Sequence, residues 1–193
     1  MKNPAIKKIC AWVGACLLVG AMAVLALWQW NIHASAQRAA YYVSTLRALI
    51  PQPQGAVPEE RRDNTMARVC VDGTDFVGIL EMPRCGSALP VCADWGKPSK
   101  YPCHFSGSVY ERTMQIGGTT QKGQYDFYRE ISVGDSVFFT DMEGNRYTYT
   151  VTNIHYAKNA DQAALGREDA DLKLFIKNVY AFEYVIVFCD VLS

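Results

Sequence analysis

From Ile9 to Ile32 the chain carries no charged side chain, and this run constrains everything that follows it. A helix needs about 20 apolar residues to cross the hydrocarbon core of a bilayer, and the stretch slightly exceeds that length. Trp28 and Trp30 stand at its far end, where amphipathic rings favour the membrane–water interface. Lys2, Lys7 and Lys8 precede it, and no acidic residue occurs before Glu59. The positive-inside rule then assigns residues 1–8 to a cytoplasmic tail, 9–32 to a single-pass signal anchor, and the remainder to the extracytoplasmic face. The rival reading is a cleaved signal peptide with Ala34-Ser35-Ala36 as the small-residue site. Apolar regions of signal peptides run only about 7–15 residues, which favours the anchor.

The rest of the 193-residue chain has room for one domain, and its aromatic and β-branched content predicts a packed core. A net charge of zero argues against a nucleic-acid partner. Of seven cysteines, Cys10 and Cys16 lie in the anchor and Cys70, Cys85, Cys92, Cys103 and Cys189 beyond it. That outer set is odd in number and its spacing does not read as a disulfide framework. No C-x-x-C pair occurs, and His33, His104 and His155 are not at metal-ligand spacing from a cysteine pair, so neither a metal nor a cofactor is expected.

After the anchor, Tyr42, Leu46 and Ile50 recur at helical spacing and predict an amphipathic helix that Pro51 and Pro53 end. Residues 51–64 read as a solvated stalk, so 33–69 form a helix and a Pro-rich stalk and 70–193 a separate domain. In that domain, strands are predicted at 76–82, 88–93, 113–116, 135–141, 146–156, 172–176 and 184–191, with 94–110 irregular and a helical turn at 161–165. Met142-Glu143-Gly144-Asn145 is the turn of a hairpin, and Gly117-Gly118 reads as a turn needing positive φ. Seven or eight short strands with little helix predict a mainly β, closed or nearly closed barrel.

Three segments carry a family resemblance: FVGILEMPRCGSALPV (76–91), ISVGDSVFFTDMEGNRYTYTV (131–151) and DLKLF (171–175). They resemble, in order and spacing, the I-G-x-[IL]-x-[IL]-P strand with its following L-P-V strand, the G-D-x-[IV] hairpin, and the nucleophile strand of the sortases, cysteine transpeptidases of Gram-positive cell surfaces. The resemblance covers about residues 70–193 and implies the sortase β-barrel. It also implies a chemistry in which a cysteine thiolate attacks a sorting-signal peptide, a histidine protonates the leaving amine and an arginine stabilises the oxyanion.

None of these three groups stands where the resemblance places it. Gly118 holds the histidine position, Lys177 the cysteine position, and Glu183-Tyr184 the arginine position. A register slip supplies no replacement, because no histidine lies within 113–125, no cysteine within 170–182, and no arginine follows Arg167. Cys189, next to Asp190, is an alternative nucleophile, although a free cysteine more often packs in a core. His104 and His155 read as structural, Lys177 as a groove lysine, and Glu168, Asp169 and Asp171 as a solvated loop face rather than a calcium site. The expectation is an anchored, catalytically degenerate sortase that binds a sorting-signal or pilin-like peptide or modulates a catalytic sortase. The alternatives are a divergent cysteine transpeptidase or peptidase using Cys189, and a purely structural surface module.

Overall fold

One unbroken helix, α1 (Pro4–Leu49), joins the apolar run to the amphipathic segment in the computed structural model, which describes residues 4–51, 65–96, 100–158, 170–181 and 183–191. The ladder ends with Ile50 N–H donating to Leu46 O at 2.8 Å, because Pro51 has no N–H to continue it. The segment from Trp12 onward is long and apolar enough to span a membrane, and its apolar window is not buried against the rest of the protein. Further along, Ala39, Val43 and Leu46 are buried and Tyr42 and Ile50 half-buried. The expected stripe of Tyr42, Leu46 and Ile50 therefore exists but is centred on Val43 and Leu46. The stalk expected at 51–64 lies, apart from Pro51, outside the described residues.

The strands are β1 (Val69–Val71), β2 (Thr74–Met82), β3 (Ser87–Cys92), β4 (Cys103–Ser106), β5 (Met114–Thr119), β6 (Ser136–Asp141), β7 (Arg146–Ala157), β8 (Leu172–Asn178) and β9 (Glu183–Val191). They form one sheet in the order β1-β2-β3-β4-β5-β8-β9-β7-β6, and β2 also pairs with β6, which closes eight strands into a barrel. β6 and β1 share one edge of β2 in succession, at Gly78–Glu81 and at Thr74–Phe76. The expected strands are present with ends moved by one to three residues, most at β5, which runs on through Gly117-Gly118 to Thr119. β1 and β4 were not expected. β4 touches β3 through the single pair Cys92↔Cys103 and meets β5 through an irregular register, so it leaves no alternating pattern in the sequence. The helical turn expected at 161–165 lies outside the described residues.

Alternation along the strands separates two apolar layers. Inward residues such as Leu80, Val91, Ile116, Leu174, Val187 and Cys189 fill the barrel. Outward residues of β2, β3 and β4, among them Phe76, Ile79, Cys92 and Cys103, pack under Val43 and Leu46 of α1. Burying Val43 and Leu46 contributes about 1.5–3 kcal/mol each, so the helix is bound to the barrel wall. Arg47 and Arg146 both pair with Glu81, at 2.5 and 3.3 Å; these part-exposed pairs orient the helix more than they stabilise it. The β6–β7 turn is set by Asp141, fully buried, whose carboxylate accepts from Glu143 N, Asn145 N and Asn145 Nδ2 at 2.8–3.0 Å. Gly144 (φ +89°) lies so close to Pro51 O that a side chain there would overlap it, which seats the end of α1 on this turn.

The cysteine spacing had suggested no pairing, yet Cys92 and Cys103 lie side by side with their sulfurs 2.8 Å apart. Parallel pairing of β3 with β4 makes them direct neighbours, a relation that sequence spacing does not encode. Oxidised glutathione should close this pair by thiol–disulfide exchange, two glutathione thiols leaving as one protein disulfide forms. Intact mass should then fall by two hydrogens, with the Cys92–Cys103 cross-link found in a non-reduced digest. Cys70 and Cys85 recovered as the cross-linked pair would contradict the pairing.

Candidate functional site

β5 and β8 run parallel, so their C-terminal ends arrive together, and β9 starts beside the end of β8. Ladder registers place Thr119, Lys177 and Tyr184 in one row across the three strands. Two of the three sequence-designated residues, Lys177 and Tyr184, are thus brought together. Gly118 is one row back, beside Ile176, and the β5 residue in their row is Thr119. Lys177 is exposed and Tyr184 half-buried, on the outer face of the barrel. This row holds a hydroxyl, an ammonium and a phenol, and neither a thiol nor an imidazole.

Gly117 and Gly118 do not form the positive-φ turn expected of them. Both lie within β5, and neither is among the glycines with positive φ. Their lack of a side chain serves close approach instead. A β-carbon on Gly117 would overlap the indole of Trp95, which lies over the outer face of the strand. On Gly118 it would point inward, 2.8 Å from Gln124 Oε1 and from the Tyr125 ring. Trp95 packs edge-on against Phe105 at 5.0 Å, and Phe105 lies 6.5 Å from Phe175, which stands two residues before Lys177 on the same face of β8. Trp95 and Phe105 remain 43% and 52% exposed, so the outer face presents an aromatic ledge that continues towards Lys177.

Past the strand ends, a hollow of about 480 Å³ is lined by Thr120, Asp126, Tyr128, Arg129, Asn178 and Tyr180, among others. Asn178 organises it. Its amide donates to Tyr128 Oη (3.0 Å) and Glu183 Oε1 (2.9 Å), while its oxygen accepts from the backbone N–H of Tyr180 and Ala181 at 3.0 and 3.3 Å. Arg129 Nε donates to Tyr128 Oη at 2.9 Å and its guanidinium stacks 5.4 Å from that ring. Burial holds the Asp126 carboxyl above the usual range, against the opposing pull of Lys122. Sequence reasoning sought an arginine after Arg167 and missed Arg129, because only the folded connection from β5 to β6 carries it here. Trp95 was missed for the same reason.

Cys70, Cys85 and Cys189 are not activated thiols. Cys189 is wholly buried, shares its row with Leu172 and Val151, and lies near the end of β9 opposite Tyr184. Burial, followed by the charge of Asp190, pushes its thiol far up. Cys85 is raised by burial and then by Glu130 and Asp135, and Cys70 by a hydrogen bond to Asp75 and then by burial. A thiolate is the nucleophile, so each shift opposes reactivity. His104 Nε2 bonds Gly107 O at 2.7 Å, and His155 is exposed on β7 opposite Ile186.

Among the described residues no group of three or more His, Cys, Asp or Glu is placed to hold a metal ion. Glu168 and Asp169 lie outside those residues, and Asp171 is engaged otherwise. It accepts two hydrogen bonds from Arg112, at 3.0 and 2.8 Å, and one from Val191 N–H at 2.8 Å. This clamps the start of β8 to β5 and β9 at the end of the barrel away from the hollow.

No protein-family model matches the sequence. No curated protein matches it either. The fold, by contrast, is that of known enzymes. Sortase A from Corynebacterium diphtheriae superposes with a TM-score of 0.53 at 16% identity, over 61% of this chain and 61% of that one. Sortase C1 from Streptococcus agalactiae gives 0.53 at 16% identity, over 64% and 71%, and sortase C from Clostridium perfringens 0.50 at 16%, over 62% and 71%. The chain thus spans about three-fifths of the C. diphtheriae structure. The domain is a mainly β, sortase-like closed barrel carrying one N-terminal helix long and apolar enough to span a membrane.

Two stability measurements probe this region. Tyr125 Oη is buried without a hydrogen-bond partner, and an unpaired buried hydroxyl costs about 1–3 kcal/mol. Tyr125→Phe should therefore raise unfolding free energy by about 1 kcal/mol in a urea titration, whereas a loss of stability would show that the hydroxyl is satisfied. Burial alone would raise Asp171, but the Arg112 hydrogen bonds and charge and the Val191 N–H outweigh it and hold the carboxyl below its usual value. Its stabilising contribution is full above the unfolded carboxylate pKa of about 3.9 and fades as pH falls through the lower folded value. Asp171→Asn should lower the melting temperature at neutral pH and lose less on acidification than the parent, read from thermal melts across the acid range.

Proposed function

We propose that this chain is a membrane-tethered, sortase-fold protein that binds peptides without cleaving or transferring them. One observation carries the reading: at the strand ends, Thr119, Lys177 and Tyr184 share a row without thiol or imidazole, beside an exposed aromatic ledge. An ammonium has no lone pair for attack, and the acidity shifts of Cys70, Cys85 and Cys189 all disfavour the thiolate. The ledge has what a peptide groove needs: Trp95, Phe105 and Phe175 for apolar side chains and Lys177 for a carboxylate. In this reading the domain faces the outside of the cell, and its partner is a sorting-signal or pilin-like segment presented alone or by a catalytic sortase. The solved sortases it resembles support the choice of peptide class through their fold.

The test uses the full chain in detergent with a fluorescent sorting-signal peptide, with and without an amine acceptor. Saturable binding by anisotropy is expected, with no cleaved or transferred product by mass spectrometry. Trp95→Ala should weaken binding on the order of tenfold, the loss typical of an aromatic anchor. Thiol-dependent product that disappears in Cys189→Ala would overturn the reading in favour of a divergent cysteine enzyme. Absence of binding would leave a structural surface module.

A further inference from the structure

Where α1 leaves its apolar run, a recess of about 270 Å³ opens between helix and barrel. Ser35 and Arg38 line it from the helix, and Lys100, Tyr101, Lys122 and Gln124 from the barrel. It brings together three cations, and no carboxylate is among its lining residues. Among the described residues Arg38, Lys100 and Lys122 form no ion pair, whereas Arg47, Arg68, Arg84, Arg112 and Arg146 each do. Arg38 is folded back along the helix towards its N-terminus, donating to Ala34 O at 3.1 Å and Ser35 Oγ at 3.3 Å.

The barrel wall of the recess is built, not merely adjacent. The 121–124 loop is pressed onto the helix at Gly123 (φ +83°), where a β-carbon would come within 2.7 Å of Ser35 O. Gln124, 2% exposed, fixes the loop from beneath by accepting Thr119 N–H at 2.9 Å. Height is set by the helix. At about 1.5 Å per residue, Ser35 lies about 5 Å and Arg38 about 9 Å past Ile32. The headgroup layer on each side of the hydrocarbon is about 5–8 Å deep. Trp28 and Trp30 mark its inner boundary, so the recess opens at headgroup level, whichever side of the membrane the barrel occupies.

We propose that this recess binds the phosphate of an anionic phospholipid in the leaflet from which α1 emerges, with Arg38, Lys100 and Lys122 as its ligands. The proposal rests on α1 spanning the membrane and is independent of peptide binding at the ledge. A basic side chain near an anionic surface is attracted to it, and three converging on one phosphate gain geometry as well. The occupied site would hold the barrel against the bilayer.

The test is hydrogen exchange on the full chain in nanodiscs of phosphatidylcholine, with and without phosphatidylglycerol. Amides of the 121–124 loop should exchange on the order of tenfold more slowly in the anionic discs, and Arg38→Gln with Lys122→Gln should abolish the difference. Arg84→Gln removes one positive charge beyond the far end of β2, which runs alongside α1 away from the membrane, from Phe76 against Tyr42 to Glu81 against Arg47, and should preserve it. Equal exchange in both discs would overturn the proposal. So would loss of the difference in Arg84→Gln, which would mean unspecific charge attraction. Inorganic phosphate reproducing the slowing in neutral discs would overturn the lipid as its source.

Discussion

The parallel ladder from β5 to β8 is the constraint on which the rest of the barrel depends. It pairs Met114 with Leu172 and Thr119 with Lys177, across a connection that contains β6, β7 and the hairpin between them. Parallel pairing needs such a crossover, and its closure entropy is recovered only when the intervening strands are in place. That is why β9 lies between β8 and β7, and why closure of β2 on β6 finishes the wall. The Arg112–Asp171–Val191 clamp holds one end of this ladder and the Asn178 network the other. The ends of β5 and β8 are thereby fixed relative to each other before any ligand is considered.

Features governed by local periodicity were legible in the sequence. Tyr147, Tyr149 and Val151 announce β7, and Asp141 with the residues after it announces the hairpin, because a half-buried strand and a tight turn each leave a short-range pattern. β4 escaped because its ladder with β3 is a single pair. Gly117-Gly118 was misread because a glycine required by a neighbour's ring looks, in sequence, like a glycine required by φ. Cys92 and Cys103 meet through a parallel pairing, a long-range relation with no local trace. The candidate site divides in the same way. Lys177 and Tyr184 were found because a strand end can be counted, whereas Trp95 and Arg129 arrive from other segments. Thr119 rather than Gly118 stands in their row because alternation turns Gly118 inward onto Tyr125.

The barrel core does not need a reactive row at its strand ends. The inward residues of β5, β8 and β9 form the core, while Thr119, Lys177 and Tyr184 lie on the outer alternation, so the fold can keep its packing while those positions change. Cys189 illustrates the converse. It belongs to the inward set, and burial makes it a good core residue and a poor nucleophile for one and the same reason.

The packing of α1 on the barrel ties the site to a helix long and apolar enough to span a membrane. A flexible stalk would let the domain wander, but Ala39, Val43 and Leu46 are buried against the wall and Gly123 is pressed onto Ser35. The loop that touches Ser35 begins directly after Thr119, at the end of the row it shares with Lys177 and Tyr184. With α1 in a bilayer, that row is therefore held close to the surface by rigid elements on both sides. An extended peptide covers about 3.3 Å per residue, so a chain emerging from the same membrane reaches this height within a few residues of its own span. A peptide free in solution gains nothing from such placement, whereas one tethered in the same bilayer meets the ledge at high effective concentration. If the ledge binds peptides as proposed, the rigid helix would select among them by where they are anchored, a form of specificity that needs no contact with their side chains.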